Sequence, residues 1–250
     1  MKIAPGIEML ELPAVLMSGP GFIFPTLLWD RQETILVDAG FPGMAQQFWA
    51  AISQADVNPE KLTRIIVTHH DLDHIGSLAE LQKITSGHVE VLAHAEEVPY
   101  LQGERLPIKL TPEMREKMAQ EGRMLSGEQR QEAKSMNERW KNLKIAVDRA
   151  LYDGDILPYC GGIQVIHTPG HTPGHICLYL IENKTLIAGD ALFVEEGKLV
   201  PAPSFINADS EMAHESLKKL SRYDVSYIIT YHGGLFRENC NERLAEIGNR

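Results

Sequence analysis

Short apolar runs alternate with amphipathic segments along the whole chain. Residues 7–12 and 22–29 read as strands. The intervening stretch 13–21 reads as a loop, with Leu16 and Met17 beside a Gly-Pro-Gly turn. Residues 34–37 form a short buried strand that ends in Asp38-Ala39-Gly40. Residues 43–55 carry Phe48, Ala51 and Ile52 on one helical face. The β-branched run 62–67 predicts a buried strand, residues 75–84 a helix with Ile75, Leu78, Leu81 and Ile84 inward, and residues 89–93 a further strand. Strand, helix, strand in this order implies a βαβ unit. His94 closes the last strand and reads as a hydrogen-bonded surface histidine.

From residue 95 to about 148 the character changes. Glu, Lys, Arg, Gln and Met become frequent and β-branched residues scarce. Residues 112–120 predict a short helix with Met114 and Met118 inward. Ser126 followed three residues later by Gln129 has the capping-box pattern. Behind it Ala133, Met136, Trp140, Leu143 and Val147 repeat at three or four residues, predicting a second amphipathic helix. The segment is a helical insertion that packs on the domain surface, or a lid or homodimer face beside a site. Strand patterns then return at 163–167, 176–181 and 185–188. A helix at 210–220, a strand at 227–230 and a closing helix at 241–247 complete the chain.

Composition narrows the class. At 250 residues, 44% hydrophobic and 23% charged, the chain fits one globular domain spanning 1–250. The net charge of -10 repels phosphate backbones and argues against nucleic acid as a partner. Cys160, Cys177 and Cys240 form no C-x-x-C pair and are odd in number, which fits a reducing cytoplasm without structural disulfides. Neither a signal peptide nor a membrane span is legible.

The chemistry concentrates in residues 68–76, T-H-H-D-L-D-H-I-G, between the predicted strand 62–67 and the following helix. Three histidines and two aspartates in nine residues supply ligands for zinc, iron or manganese. The alternation of His69, Asp71, Asp73 and His74 suits two adjacent metals better than one. Three later stretches also leave predicted strands: H-T-P-G-H-T-P-G-H at 167–175, Gly189-Asp190, and Tyr231-His232-Gly233-Gly234.

The stretch resembles the H-x-H-x-D-H signature of the metallo-β-lactamase superfamily, and 169–175 resembles its P-G-H-T-P-G-H motif. One departure is Asp71, where the middle histidine of the signature stands. Acidic residues occur there in some branches, including the flavodiiron proteins. The resemblance implies an α/β fold, an αββα sandwich of two mixed β-sheets flanked by helices, with metals at one edge. It implies that His69, Asp71 and His171 hold a first metal, that Asp73, His74 and His232 hold a second, and that Asp190 bridges them. Asp38 would lie near the metals as a supporting group, and His175 would support the turn. His70, His88, His167 and His214 keep structural readings.

Two bridged metals, zinc by default with iron or manganese open because of Asp71, would share a water and lower its pKa to about 7 for zinc. Asp73 is the candidate catalytic group that orients this hydroxide or receives its proton. The expected activity is hydrolysis of a small ester, lactone or thioester, with residues 16–24 and Phe193 as apolar walls. The alternatives are a di-iron redox protein related to the flavodiiron or sulfur dioxygenase branches, and a non-catalytic protein that keeps the fold.

Overall fold

The computed structural model describes all residues except 17, 18, 86, 122–126 and 250, with the side chains of 121, 128–130 and 132–133 also left aside. The first half supplies the strands Lys2–Ala4 (β1), Ile7–Met9 (β2), Leu12–Leu16 (β3), Gly19–Ile23 (β4), Thr26–Trp29 (β5), Thr34–Val37 (β6), Arg64–Val67 (β7), Glu90–His94 (β8) and Arg149–Leu151 (β9). The second supplies Ile156–Leu157 (β10), Ile163–His167 (β11), Ile176–Leu180 (β12), Thr185–Ile187 (β13), Leu192–Glu195 (β14), Lys198–Pro201 (β15), Tyr227–Thr230 (β16) and Gly234–Phe236 (β17).

Among the described residues these strands form a seven-stranded sheet, β1-β2-β5-β6-β7-β8-β9, a six-stranded sheet, β10-β11-β12-β13-β16-β17, and the hairpins β3-β4 and β14-β15. β6 through β9 pair in parallel, because helices cross between several of them, and β13 pairs in parallel with β16. The remaining pairs are antiparallel, so both sheets are mixed, as the sequence implied.

Burial on both faces explains why the central strands read as unbroken apolar runs. Ile35, Val37, Ile66 and Leu92 point between the sheets and meet Ile163, Val165, Leu178, Ile187 and Ile229. Leu36, Ile65, Val67 and Val91 point outward to Phe48, Ile52, Leu78 and Leu81 on the helices Ala45–Gln54 and Leu78–Ile84. On the other flank, Ile166, Cys177, Leu186 and Ile228 meet Leu217, Leu220, Leu244 and Ile247 of the helices Ser210–Leu220 and Cys240–Gly248. Each fully buried Leu or Ile contributes roughly 1.5–3 kcal/mol, so these three layers dominate the stability.

Several local readings are corrected. Residues 13–21 are not a loop but most of the β3-β4 hairpin, whose strands pair from Leu12↔Ile23 to Leu16↔Gly19. The run 75–84 is not one helix. A turn of helix, Leu72–Ile75, stops at Gly76-Ser77 before Leu78–Ile84 begins. At Gly76 a Cβ would meet the Pro42 backbone nitrogen at 2.3 Å, so this break is where two loops touch. The insertion holds the helices Pro112–Glu121 and Gly127–Asn142. Leu143 and Val147 pack on the core from beyond the second helix, not within it. The Ser126–Gln129 capping box and the Ala133 side chain lie outside the described residues. His94 is buried, not on the surface, and its ring stacks on His167 at 3.9 Å between centroids. Among the described residues no helix is long and apolar enough to cross a membrane, and the three cysteines are free.

Candidate metal centre

Every predicted ligand leaves the end of a strand. Asp38 follows β6, and the segment from Thr68 to His74 follows β7. His171 lies between β11 and β12, Asp190 follows β13, and His232 follows β16. Asp38 sits at φ 65°, in the left-handed region, which turns its carboxylate back under the loop after β7. Its Oδ1 accepts the Thr68 N–H at 2.8 Å. Its Oδ2 accepts the Thr68 hydroxyl at 2.8 Å and His74 Nδ1–H at 2.8 Å. Having donated its proton to Asp38, the Thr68 hydroxyl accepts from His69 Nδ1–H at 3.0 Å. Asn207 Oδ1 accepts from His171 Nδ1–H at 3.0 Å. In each case the supporting oxygen fixes the ring so that Nε2 faces the centre.

The seven residues assigned from the sequence come together there. Asp71 Oδ2 lies 3.2 Å from His69 Nε2 and 3.1 Å from His171 Nε2. Asp73 Oδ2 lies 3.6 Å from His74 Nε2 and 3.2 Å from His232 Nε2. Asp190 reaches both groups: Oδ1 is 3.3 Å from His74 Nε2, and Oδ2 is 3.5 Å from both His171 Nε2 and His232 Nε2. The donor atoms of His69, Asp71 and His171 all lie within 4.8 Å of one another, as do those of Asp73, His74 and His232, and those of His69, His74 and Asp190.

This donor set fits divalent metal ions. His69 Nε2, Asp71 Oδ1, His74 Nε2 and Asp190 Oδ1 are buried without a hydrogen-bond partner. Such atoms are costly unless something cationic satisfies them. With Nδ1–H used on Thr68, His69 turns a lone pair toward the Asp71 carboxylate, and two acceptors 3.2 Å apart require a cation between them. The electrostatics agree. Burial pushes the His69 imidazole well below its ordinary pKa. Burial also opposes charge on His74 and His232, but Asp73, Asp190 and Asp38 hold His74 well above its ordinary value, and Asp190 with Asp73 raises His232 to about 9. Burial would raise Asp190, yet His232 and His74 hold it well below the usual carboxylate range.

His175 is a support rather than a ligand. Its Nε2 accepts the Asp190 N–H at 3.0 Å, while Nδ1–H donates to the Thr168 hydroxyl at 2.8 Å. Burial pushes it down to about 3, so it remains a neutral acceptor. Gly170, at φ 130°, lets the His171 loop lie against the helix Ser210–Leu220, where a Cβ would meet Ala213 N at 2.1 Å.

The sequence reading passed over four contributors. Glu97, fully buried, accepts from the His70 N–H and ring, the Thr172 hydroxyl and the Gly174 N–H. Burial would raise its carboxyl, but His70 and these donors hold it below its ordinary value. Asn207 and Thr168 orient His171 and His175, as above. Lys109, from the insertion, is buried against Asp71 and His171. The only trace of it in sequence is a lysine flanked by Ile108 and Leu110 just after Pro107.

A profile of the metallo-beta-lactamase superfamily matches residues 18–232. The chain is 28% identical over 236 residues to a probable metallo-hydrolase of Bacillus subtilis, covering 88% of this chain and 83% of that protein. It is 28% identical over 212 residues to a hydroxyacylglutathione hydrolase of Haemophilus influenzae, covering 83% and 84%. The fold is shared with a metallo-beta-lactamase family protein of Thermus thermophilus, with a TM-score of 0.74 and 21% identity over 98% of this chain and 79% of that one.

Proposed function

Because the chain belongs to the metallo-β-lactamase superfamily, we propose that it is a hydrolase that uses two adjacent divalent metal ions, zinc by default, to cleave a small ester, lactone or thioester. The observation that carries this reading is Asp190, whose carboxylate reaches both groups: Oδ1 lies 3.3 Å from His74 Nε2, and Oδ2 lies 3.5 Å from both His171 Nε2 and His232 Nε2. His69, Asp71 and His171 would hold the first ion and Asp73, His74 and His232 the second. Bound there, the ions would lower the pKa of water to about 7 and polarise the carbonyl under attack.

The protein's own groups supply position and proton handling. Asp73 is the least buried of the carboxylates, with its side chain 19% exposed, so it can face both the ions and incoming water. The Tyr231 hydroxyl donates to the Asp73 carbonyl, which fixes the loop that carries this carboxylate. From there Asp73 orients the nucleophile or takes its proton. Phe193, with its ring 4.9 Å from that of His232, gives the open side an apolar edge. A cavity of about 180 Å³ lined by His171, Asp190, Ala202 and Asn207 adjoins the centre. Both features suit a small substrate with an apolar group. The net charge of -10 weighs against polyanions. The hydroxyacylglutathione hydrolase among the relatives acts on a thioester and adds weight to that class.

The test pairs elemental analysis with a panel of esters, lactones and thioesters. Zinc that tracks hydrolysis, both lost on chelation, is the expected result. Iron with an absorption band and no hydrolysis would replace this reading with a redox one.

A further inference from the structure

Of the charged groups around the centre, one does not belong to the ligand set. Lys109 Nζ contacts Asp71 Oδ2 and lies 2.8 Å from His171 Nε2. These are two of the three donor atoms of the first pocket. The lysine is 8% exposed, and lysine is rarely that buried unless a counter-charge holds it. We propose that Lys109 is a built-in cation that competes with the first metal ion, so that the two pockets of this chain bind metal with unequal affinity. The inference rests on the two-metal reading above and deepens it.

Three further observations support it. First, Lys109 is delivered by an anchored element. It sits in the 3-10 turn Ile108–Leu110, whose Ile108 N–H donates to His70 Nε2 at 3.2 Å and whose Leu110 packs in the core. With Nε2 accepting from Ile108, His70 keeps its proton on Nδ1 and gives it to Glu97. The turn that carries the lysine is therefore tied to the residue next to His69. Second, the partner chosen is Asp71. A carboxylate can pair with an ammonium where an imidazole would repel it or offer one weak acceptor. Third, the second pocket has no counterpart. Among the described residues, no lysine or arginine pairs with Asp73 or Asp190.

An ion entering the first pocket must displace Lys109 from Asp71 and His171, whereas among the described residues no lysine or arginine stands against the carboxylates of the second. The loss of one charge-assisted hydrogen bond makes first-pocket binding weaker by about tenfold or more.

The experiment is a zinc titration of the full-length, chelator-stripped protein, read by competition with a chromophoric chelator and by metal content after dialysis. The wild type should bind zinc in two unequal steps. Lys109→Met should tighten the weaker step by about tenfold or more and leave the tighter one in place. Lys109→Gln, closer to lysine in polarity, serves as a second variant with the same expected direction, and Lys109→Arg should retain the inequality. Two indistinguishable steps in the wild type, or a weaker step unmoved in both Met and Gln variants, would overturn the proposal. The readout is metal content, so absence of hydrolysis would count only against the hydrolase reading, and superimposable isotherms only against Lys109.

Discussion

The two pockets are made from the same residue types but are closed differently. His69, Asp71 and His171 lie under the insertion, their side chains 0%, 7% and 2% exposed. Asp73 and His232 stand at an open edge, 19% and 16% exposed. Contacts that tie the first pocket to the insertion include Lys109 on Asp71 and His171, Ile108 on His70, and Trp140 Nε1–H on the His70 carbonyl at 2.9 Å. Among the described residues, the second is tied to the sheets through Asp38, Tyr231 and the strand ends. The difference teaches that a layout of strand ends can bring together two similar groups of side chains, while an insertion closes over one of them. On the proposed two-metal reading, the closed pocket would govern metal retention and the open one would meet water and substrate.

The comparison can be broken or sharpened by substitution. Asp190→Ala removes the one carboxylate shared by both pockets, so hydrolysis should fall by about a thousandfold or more, the several kcal/mol that metal-assisted activation supplies. Metal content should fall with it, and retention of both quantities in that variant would sink the shared-carboxylate account. Glu97→Gln should act on one side only. It loosens His70 and the Thr172–Gly174 turn, and first-pocket affinity should drop by about 10–100-fold, the usual cost of a lost supporting contact. If the second pocket weakens equally, the two are not separately supported. Trp140→Phe keeps an aromatic ring of smaller size but loses the bond to the His70 carbonyl. Thermal or denaturant unfolding should report a loss of about 1–2 kcal/mol. An unchanged midpoint would show that this bond does not hold the insertion down.

The smallest effect concerns pH and lies outside both pockets. Burial, with His167 beside it, pushes His94 down from 6.5 to about 4, against the opposing pull of Glu97 and Asp153 and alongside Lys219. The unfolded chain therefore takes up a proton below pH 6.5 that the folded protein refuses until about pH 4. Stability is lost as pH falls through that window. His94→Phe preserves the stack on His167 and should flatten this part of the profile. An identical drop in melting temperature between pH 7 and pH 5 in both proteins would remove His94 as a cause.

Much of this was legible in the chain itself, for a physical reason. Strands buried on both faces leave unbroken apolar runs such as 35–37 and 65–67, and ligands at their ends follow directly in sequence. The superfamily resemblance assigned His69, Asp71, Asp73, His74, Asp190 and His232, and the neighbouring strands showed where each would stand. His171 was marked by the Pro-Gly turns on either side of it. What stayed hidden depends on contacts across long sequence separations. Lys109 reaches Asp71 over 38 residues and Glu97 reaches Gly174 over 77, with no local pattern to mark either. The β3-β4 hairpin was missed because Gly19, Pro20 and Gly21 read as turn residues, whereas an isolated ribbon tolerates them as pairing positions. His94 was placed on the surface because a polar residue at a strand end is usually solvated. Its stacking partner, His167, comes from the other sheet.

Glu97 has one more consequence, for the order of folding. It belongs to the loop after β8, and its Thr172 and Gly174 donors belong to the turn between β11 and β12. One carboxylate therefore bolts a turn of the late half to a loop of the early half. A nascent chain that has released only its first hundred residues owns His69, Asp71, Asp73 and His74 but lacks His171, Asp190 and His232. Contacts this distant close slowly, since the loop entropy must be overcome before they form. The centre should thus be among the last features to mature, and metal capture during refolding would time the docking of one sheet upon the other.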